Sequence, residues 1–158
     1  MEEGKQQKKT YTPHQAKLKA EAYCAYQERA QQEVRDKLYD YGLHQEDAES
    51  IIADLIVENF LNEERFAEAY ALGKFRVKGW GKIKIKQALK FKNVPERIIK
   101  TALGKILIEE YEEKLDEIIS KKIKMDGEPK NITQKSKLIR FLQSKGFESD
   151  LIFRKTSS

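Results

Sequence analysis

The chain is poor in the residues that carry metal, redox and nucleophile chemistry. Its 158 residues include one cysteine, Cys24, and two histidines, His14 and His44. A single thiol forms no internal disulfide and suits a reducing compartment, and in a helix it serves best as a small buried side chain. The histidines lie thirty positions apart with no ligand-like spacing to Cys24, so no zinc or other metal site is expected. Glycine is sparse, and Gly79-Trp80-Gly81-Lys82 lacks the second half of a Walker phosphate loop. The serines and threonines have no candidate base beside them, and the paired acids Glu109-Glu110 and Glu112-Glu113 fall on a polar helix. Neither an enzyme nor a cofactor is implied. No apolar run approaches the roughly eighteen residues of a membrane span, and Met1-Glu2-Glu3-Gly4-Lys5 has no secretory core. A cytoplasmic protein without membrane contact is expected.

Proline is scarce as well. Three prolines, set against 36% charged residues, favour exposed, charge-rich helices over a thick globular core. The chain is too short for a large enzyme core with appended domains, and an elongated all-α protein is expected.

Within this helical background one signal recurs. Val34, Leu38 and Gly42-Leu43 are followed at a distance of 51 residues by Ile85, Leu89 and Asn93-Val94, and after a further 53 by Leu138, Leu142 and Gly146-Phe147. Two apolar residues four apart share a helix face. The Gly or Asn four positions later supplies a left-handed cap, and the next apolar residue packs back onto the helix. One helix ending written three times at matched spacing predicts three copies of one helical unit.

The rest of the chain fills in around these stops. Residues 1–11 are polar and lysine-rich and are expected to be disordered, until Thr12 caps a helix with Pro13 at its first position. The first repeat, 12–61, should hold a helix from Pro13 to about Arg29, a second ending near Tyr41, and a third carrying Ile51, Ile52, Leu55 and Ile56. Asn62 opens the second, 62–104, with Glu63 and Glu64 in the first turn, where the positive dipole end favours carboxylates. Gly79 and Gly81 break that helix before the next, Lys82 to Lys92, and Pro95-Glu96 begins a short one. The third, 105–155, opens with a helix containing Leu107, Tyr111, Leu115, Ile118 and Ile119. Asp126-Gly127-Glu128-Pro129 forces a loop, Thr133 caps the next helix, and Glu148 to Arg154 forms the last, before a 156–158 tail. Nine helices in three tandem trios is the expected architecture. Tyr70, Phe75, Phe91 and Tyr111 occupy helical positions that predict core.

The net charge of +5 is modest, but its distribution is not. Residues 28–68 hold twelve acids against four bases, whereas residues 69–95 hold no acid at all. The bases of that second window are Lys74, Arg76, Lys78, Lys82, Lys84, Lys86, Lys90 and Lys92. Lys82, Lys86 and Lys90 fall four apart on one helix face, where like charges repel by a few tenths of a kcal/mol per pair. A merely solvated face would intersperse glutamates, so an anionic partner is indicated, phosphate above all. Lys135, Lys137, Arg140 and Lys145 form a secondary cluster. Trp80, between two glycines, either stacks on an unpaired base or packs under its own turn. No heptad seam appears, and a monomer is the default.

Asn62-Glu63-Glu64-Arg65-Phe66-Ala67, then Phe75-Arg76-Val77-Lys78-Gly79-Trp80-Gly81-Lys82-Ile83, then Leu89 and Val94-Pro95, resemble the RecX family of bacterial RecA regulators. The resemblance extends over roughly residues 12–155 and is most specific in the middle repeat. Asn62 replaces the acidic residue usual at the opening, and Asn93 replaces a glycine after the basic helix; both keep the local capping chemistry. The resemblance implies a curved array of three three-helix repeats lying along the groove of the RecA filament on single-stranded DNA. It also implies a role in DNA repair, recombination and the SOS response, usually by inhibition of RecA. Arg76, Lys78, Lys82, Lys84, Lys86 and Lys90 are the expected contacts to RecA or DNA, and Phe66, Ala67, Leu89 and Val94 the fold determinants. A stand-alone, non-sequence-specific DNA- or RNA-binding helical protein is the alternative.

Overall fold

The structure, a computed structural model, describes residues 10–157. Among these it is all-helical: α1 (Pro13–Tyr26), α2 (Gln31–Asp40), α3 (Gln45–Val57), α4 (Glu63–Arg76), α5 (Lys82–Phe91), α6 (Glu96–Leu103), α7 (Ile108–Asp126), α8 (Ile132–Ser144) and α9 (Ser149–Thr156). The disorder expected for the N-terminus concerns residues 1–9, outside the described residues. Tyr11, which the sequence groups with that tail, is instead placed: its amide donates to the Tyr41 carbonyl at 3.0 Å and its ring meets Tyr41 edge-on at 5.5 Å.

The repeated helix ending is real in backbone terms. Gly42, Asn93 and Gly146 all have positive φ, at 89°, 60° and 98°. At the first, the Leu43 amide reaches back to the Leu38 carbonyl at 3.2 Å and that of Gly42 to Tyr39 at 2.9 Å. At the third, Phe147 bonds Leu142 at 3.4 Å and Gly146 bonds Gln143 at 2.9 Å. This is the paired Schellman pattern, which satisfies carbonyls orphaned at a helix end. A further copy, not read from the sequence, closes α3. Asn59 has φ 64°, the Phe60 amide bonds Leu55 at 2.9 Å, and that of Asn59 bonds Ile56 at 3.1 Å.

The chain divides into two compact units, Met1–Phe66 with Lys92–Val94, and Ala67–Phe91 with Pro95–Ser158. In the first, Ala16, Ala20 and Cys24 recur every four residues on α1 and form a buried face of small side chains. Small residues let helices approach closely, and Val34 and Leu38 of α2 with Ile51, Ile52 and Leu55 of α3 complete the cluster. Thr12 and Gln15 form the expected capping box, the Gln15 amide donating to Thr12 Oγ1 at 3.2 Å. Helix α1 stops at Tyr26 rather than running to Arg29, because Gln27 is extended. Arg29 turns back, its guanidinium 3.6 Å from the Tyr23 ring centroid and its Nε donating to the Tyr23 carbonyl at 2.9 Å. Asn62 does cap α4: its Oδ1 accepts from the Arg65 amide at 2.9 Å. Glu63 is buried and accepts from the Gln31 amide at 2.8 Å; burial holds its carboxyl above the usual range despite that bond.

In the second unit, Phe75 of α4, Tyr111 of α7 and Phe147 stack in series, with ring centroids 5.7 and 5.1 Å apart. Phe75 and Phe147 are almost wholly removed from water, which for a large apolar side chain is worth about 1.5–3 kcal/mol. Helix α5 packs against α6, and α8 against α9. Helix α7 begins at Ile108 with Leu107 as its cap residue. Helix α8 is capped by Asn131, whose Oδ1 accepts from the Gln134 amide at 2.9 Å, and not by Thr133, which sits inside the helix. Phe91 contradicts its expected core role outright: it is 91% exposed. The buried residues of α5 are Ile85 and Leu89, and at about 100° per residue Phe91 points to the opposite side.

Candidate functional site

The basic segment is built from the end of α4, the turn Val77–Gly81, and α5. Its turn is held from outside. Gly79 has φ 68° and its amide closes α4 on the Phe75 carbonyl at 3.0 Å. The three amides that open α5 all have partners contributed by the third repeat. Gly81 donates to the Lys145 carbonyl at 2.7 Å, Lys82 to the Tyr111 hydroxyl at 2.9 Å, and Ile83 to the Gly146 carbonyl at 3.0 Å. Carbonyls left over at the end of α8 thus satisfy amides left over at the start of α5, and the two opposed partial charges meet. This helix start is therefore closed to a phosphate, which would need those same amides.

Tyr111 is the pivot. Its hydroxyl accepts from the Lys82 amide and donates to Glu148 Oε1, and burial followed by the Glu148 bond drives the phenol well above its ordinary range. The sequence marks Tyr111 only as a core aromatic, and Glu148 only as a helix start. Neither has a local signature of the bond, which spans 37 residues.

The structure sorts the lysines that sequence spacing treats alike. Lys82 lies over the Tyr111 ring at 5.0 Å, and Lys86 pairs with Glu96 at 3.4 Å. Of the three at four-residue spacing, only Lys90 has neither an ion pair nor a ring contact among the described residues, and it is exposed. Arg76 is committed to a fork with Glu110, its Nε on Oε1 at 2.8 Å and its NH2 on Oε2 at 3.3 Å. That bond pulls the Glu110 carboxyl below the usual carboxylate range. Lys92 pairs with Glu33 at 3.5 Å. Lys78 is exposed, with its ammonium unpaired among the described residues. Trp80 is half-buried, and the ammoniums of Lys74 and Lys84 stand over its ring at 5.0 and 4.7 Å. A base stacking there must first displace a lysine.

The solvent face of α5 consequently reads Ile83, Gln87, Lys90 and Phe91, with the half-buried pair Trp80 and Lys84 at its head. Phe91 is the residue of this candidate surface that sequence reasoning missed. A clue lay in its position: it is two residues beyond Leu89, so it leaves the face that Ile85 and Leu89 share.

The secondary cluster separates in the same way. Lys135, Lys137 and Arg140 are exposed on α8. Lys145 instead joins the basic turn, its Nζ donating to the Lys78 carbonyl at 3.0 Å. Partial burial, with Lys84 nearby, lowers its pKa. Among the described residues no three His, Cys, Asp or Glu side chains are grouped to hold a metal ion, and no helix is long and apolar enough to cross a membrane. What the surface offers chemically is a set of open ammonium groups beside one uncovered aromatic ring.

The chain has clear relatives. Family models for the first, second and third three-helix domains of RecX match residues 16–55, 62–103 and 109–155. The regulatory protein RecX of Clostridium perfringens strain 13 is 34% identical over 126 residues, which are 77% of this chain and 58% of that protein. That of Amycolatopsis mediterranei is 25% identical over 145 residues, covering 89% of this chain and 83% of the relative. The chain spans little more than half the length of several such relatives, 52% for the one from Oceanobacillus iheyensis. The crystal structure of RecX from Lactobacillus salivarius superposes with a TM-score of 0.82 at 26% identity, over 90% of this chain and 93% of that one. Three successive domain models, in order and in tandem along an all-α chain, leave one assignment: the chain belongs to the RecX family, whose members carry the name of regulatory proteins.

Proposed function

We propose that this chain regulates the RecA recombinase. In this reading it acts as a monomer in the cytoplasm, lies in the groove of the RecA filament on single-stranded DNA, and limits filament extension, ATP hydrolysis and strand exchange. Family membership supports the regulatory part. The observation that carries the contact is the acid-free window 69–95, which leaves Lys78, Lys90 and Phe91 exposed. Ammonium groups so exposed meet phosphates or acidic side chains, and an exposed ring adds stacking on an unpaired base, worth about 1–3 kcal/mol.

The test is RecA-dependent ATP hydrolysis on single-stranded DNA with the chain added far below the DNA concentration. Suppression at that ratio supports capture of filaments. Inhibition only when the DNA is saturated points instead to simple competition by a free-standing nucleic-acid binder, and no effect on the cognate RecA sinks the reading. Changing Lys82, Lys86 and Lys90 together to Glu should weaken binding while leaving helical content intact. A titration of bare single-stranded DNA against salt should give a logarithmic slope of about −0.7 per phosphate contacted, and a flat response would remove direct DNA contact.

A further inference from the structure

Away from the solvent face of α5, the second unit carries a cleft of about 250 Å³ between the end of α4, α7 and the end of α8. Its floor is apolar: Val77, Ile118, Met125 and Phe141 line it. Val77 is 80% exposed and Met125 79%, a large uncovered area for two side chains that have no polar atom to hydrate. Gly79 backs the floor, since a methyl group there would meet Ile118 Cδ1 at 3.3 Å. Lys78, Lys114, Lys121, Lys122 and Lys145 form the rim, with Glu117 as the one acid of the lining. Lys121 pairs with that acid at 3.1 Å, and Lys114 and Lys145 donate to the carbonyls of Arg76 and Lys78 at 3.2 and 3.0 Å. Lys122 pairs with Asp126 beside the cleft at 3.1 Å, and Lys114 also lies 3.9 Å from Glu117, so two carboxylates offset part of the rim and its balance stays positive. Beyond Lys122 and Phe141 a second hollow of about 440 Å³ continues the path between α7 and α8, past Ile123, Pro129 and Leu138.

We propose that this cleft is a docking site for an acidic, amphipathic segment of a partner protein, with apolar side chains on the floor and carboxylates against the rim. It shares Lys78 with the surface proposed above for RecA or DNA but rests on neither of them. Charge complementarity selects an acidic occupant, since five lysines on the rim face two carboxylates, Glu117 and the Asp126 paired with Lys122. The floor selects a peptide over a nucleic acid. Three of its four side chains are aliphatic or thioether, and the one ring, Phe141, is half-buried under Lys122 Nζ at 4.6 Å, so it offers little to a stacking base. Methionine adapts to varied apolar anchors, and a groove with an apolar floor and a charged rim is how an amphipathic helix is gripped.

The experiment is a selection of random twelve-residue peptides on the immobilised full chain, followed by anisotropy titration of the labelled winners. The expected consensus has two apolar residues three or four apart flanked by Asp or Glu. The double change Val77→Glu and Met125→Glu should weaken the winners at least tenfold, and both positions are exposed enough that folding, checked by circular dichroism, survives. Lys121→Glu with Lys122→Glu should do the same, whereas Lys90→Glu should leave peptide affinity unchanged. The proposal is overturned if no acidic–apolar consensus emerges, or if the winners bind the double variant as well as the parent. It is equally overturned if the double change abolishes binding of an oligothymidine, or if it abolishes self-association of the chain seen by light scattering, for then the occupant is nucleic acid or a second copy.

Discussion

Gly81 and Gly146 meet backbone against backbone. A methyl group on Gly81 would lie 2.4 Å from the carbonyl carbon and oxygen of Gly146, and one on Gly146 would lie 2.4 Å from Lys84 Cβ. The approach exists because the carbonyls of Lys145 and Gly146 bond the amides of Gly81 and Ile83 directly, which no side chain at either glycine would permit. The second and third repeats are thereby joined through main chain, and the basic turn is held in a defined position.

Gly81→Ala should therefore destabilise the chain by about 1–3 kcal/mol or more, the cost of forced overpacking. The urea midpoint of the full chain measures it. A loss below about 0.5 kcal/mol would mean that the two turns slide apart freely.

Tyr111→Phe keeps the ring between Phe75 and Phe147 but removes the acceptor for the Lys82 amide and the donor to Glu148. Leaving a part-buried amide without a partner costs about 1–3 kcal/mol, again read as a shift in urea midpoint. An unchanged midpoint would show that water substitutes for the hydroxyl.

Asn93 is, with Asn59, one of two left-handed caps among the described residues that are not glycine, and it is exposed, so its backbone preference can be tested with little packing change. Asn93→Ala should cost about 1–2 kcal/mol, while Asn93→Gly should stay within a few tenths of the parent. Equal effects of the two changes would show that φ does not limit stability there.

Burial pushes the Cys24 thiol up to about 11. At pH 8 only about one thiol in a thousand is then ionised, so the native chain should not react with a disulfide reagent over minutes, and should react stoichiometrically once denaturant is added. The sign of the linkage follows. The unfolded thiol ionises near its ordinary 9.0 while the native one holds its proton to about 11, so this contribution to stability is present below pH 9 and declines as pH rises toward 11. Rapid modification of the native chain would overturn the assignment.

Phe91→Ala and Lys90→Glu remove groups that make no core contact, and each should leave stability within about 0.5 kcal/mol. Each should also weaken single-stranded DNA or filament binding several-fold, more than Arg76→Gln does, because Arg76 already serves Glu110. A larger loss from Arg76→Gln would move the contact surface to the α4 end.

Much of the fold was legible because helix endings are local. A left-handed cap needs Gly or Asn within a few residues of two apolar positions, and that pattern located Gly42, Asn93 and Gly146 without knowledge of any distant residue. Asn59-Phe60 is the same pattern and was readable by the same rule. The Thr133 cap was misplaced because Asn131 and Thr133 are both competent oxygen acceptors two residues apart, and only the backbone conformation chooses between them. Phe91 was misread because an aromatic at a helical position is usually buried, yet the face of α5 is set by Ile85 and Leu89.

The sequence by itself determined the helices, their order, and the concentration of positive charge in one acid-free window, since propensity, caps and charge act over a few residues. Only the tertiary structure decided which of those charges are available. Arg76 is taken by Glu110, Lys86 by Glu96, and Lys82 by the Tyr111 ring, across separations of 34, 10 and 29 residues that no local pattern encodes. A charge is free or spent according to what folding brings within a few ångströms of it, and that is a property of packing rather than of spacing along the chain.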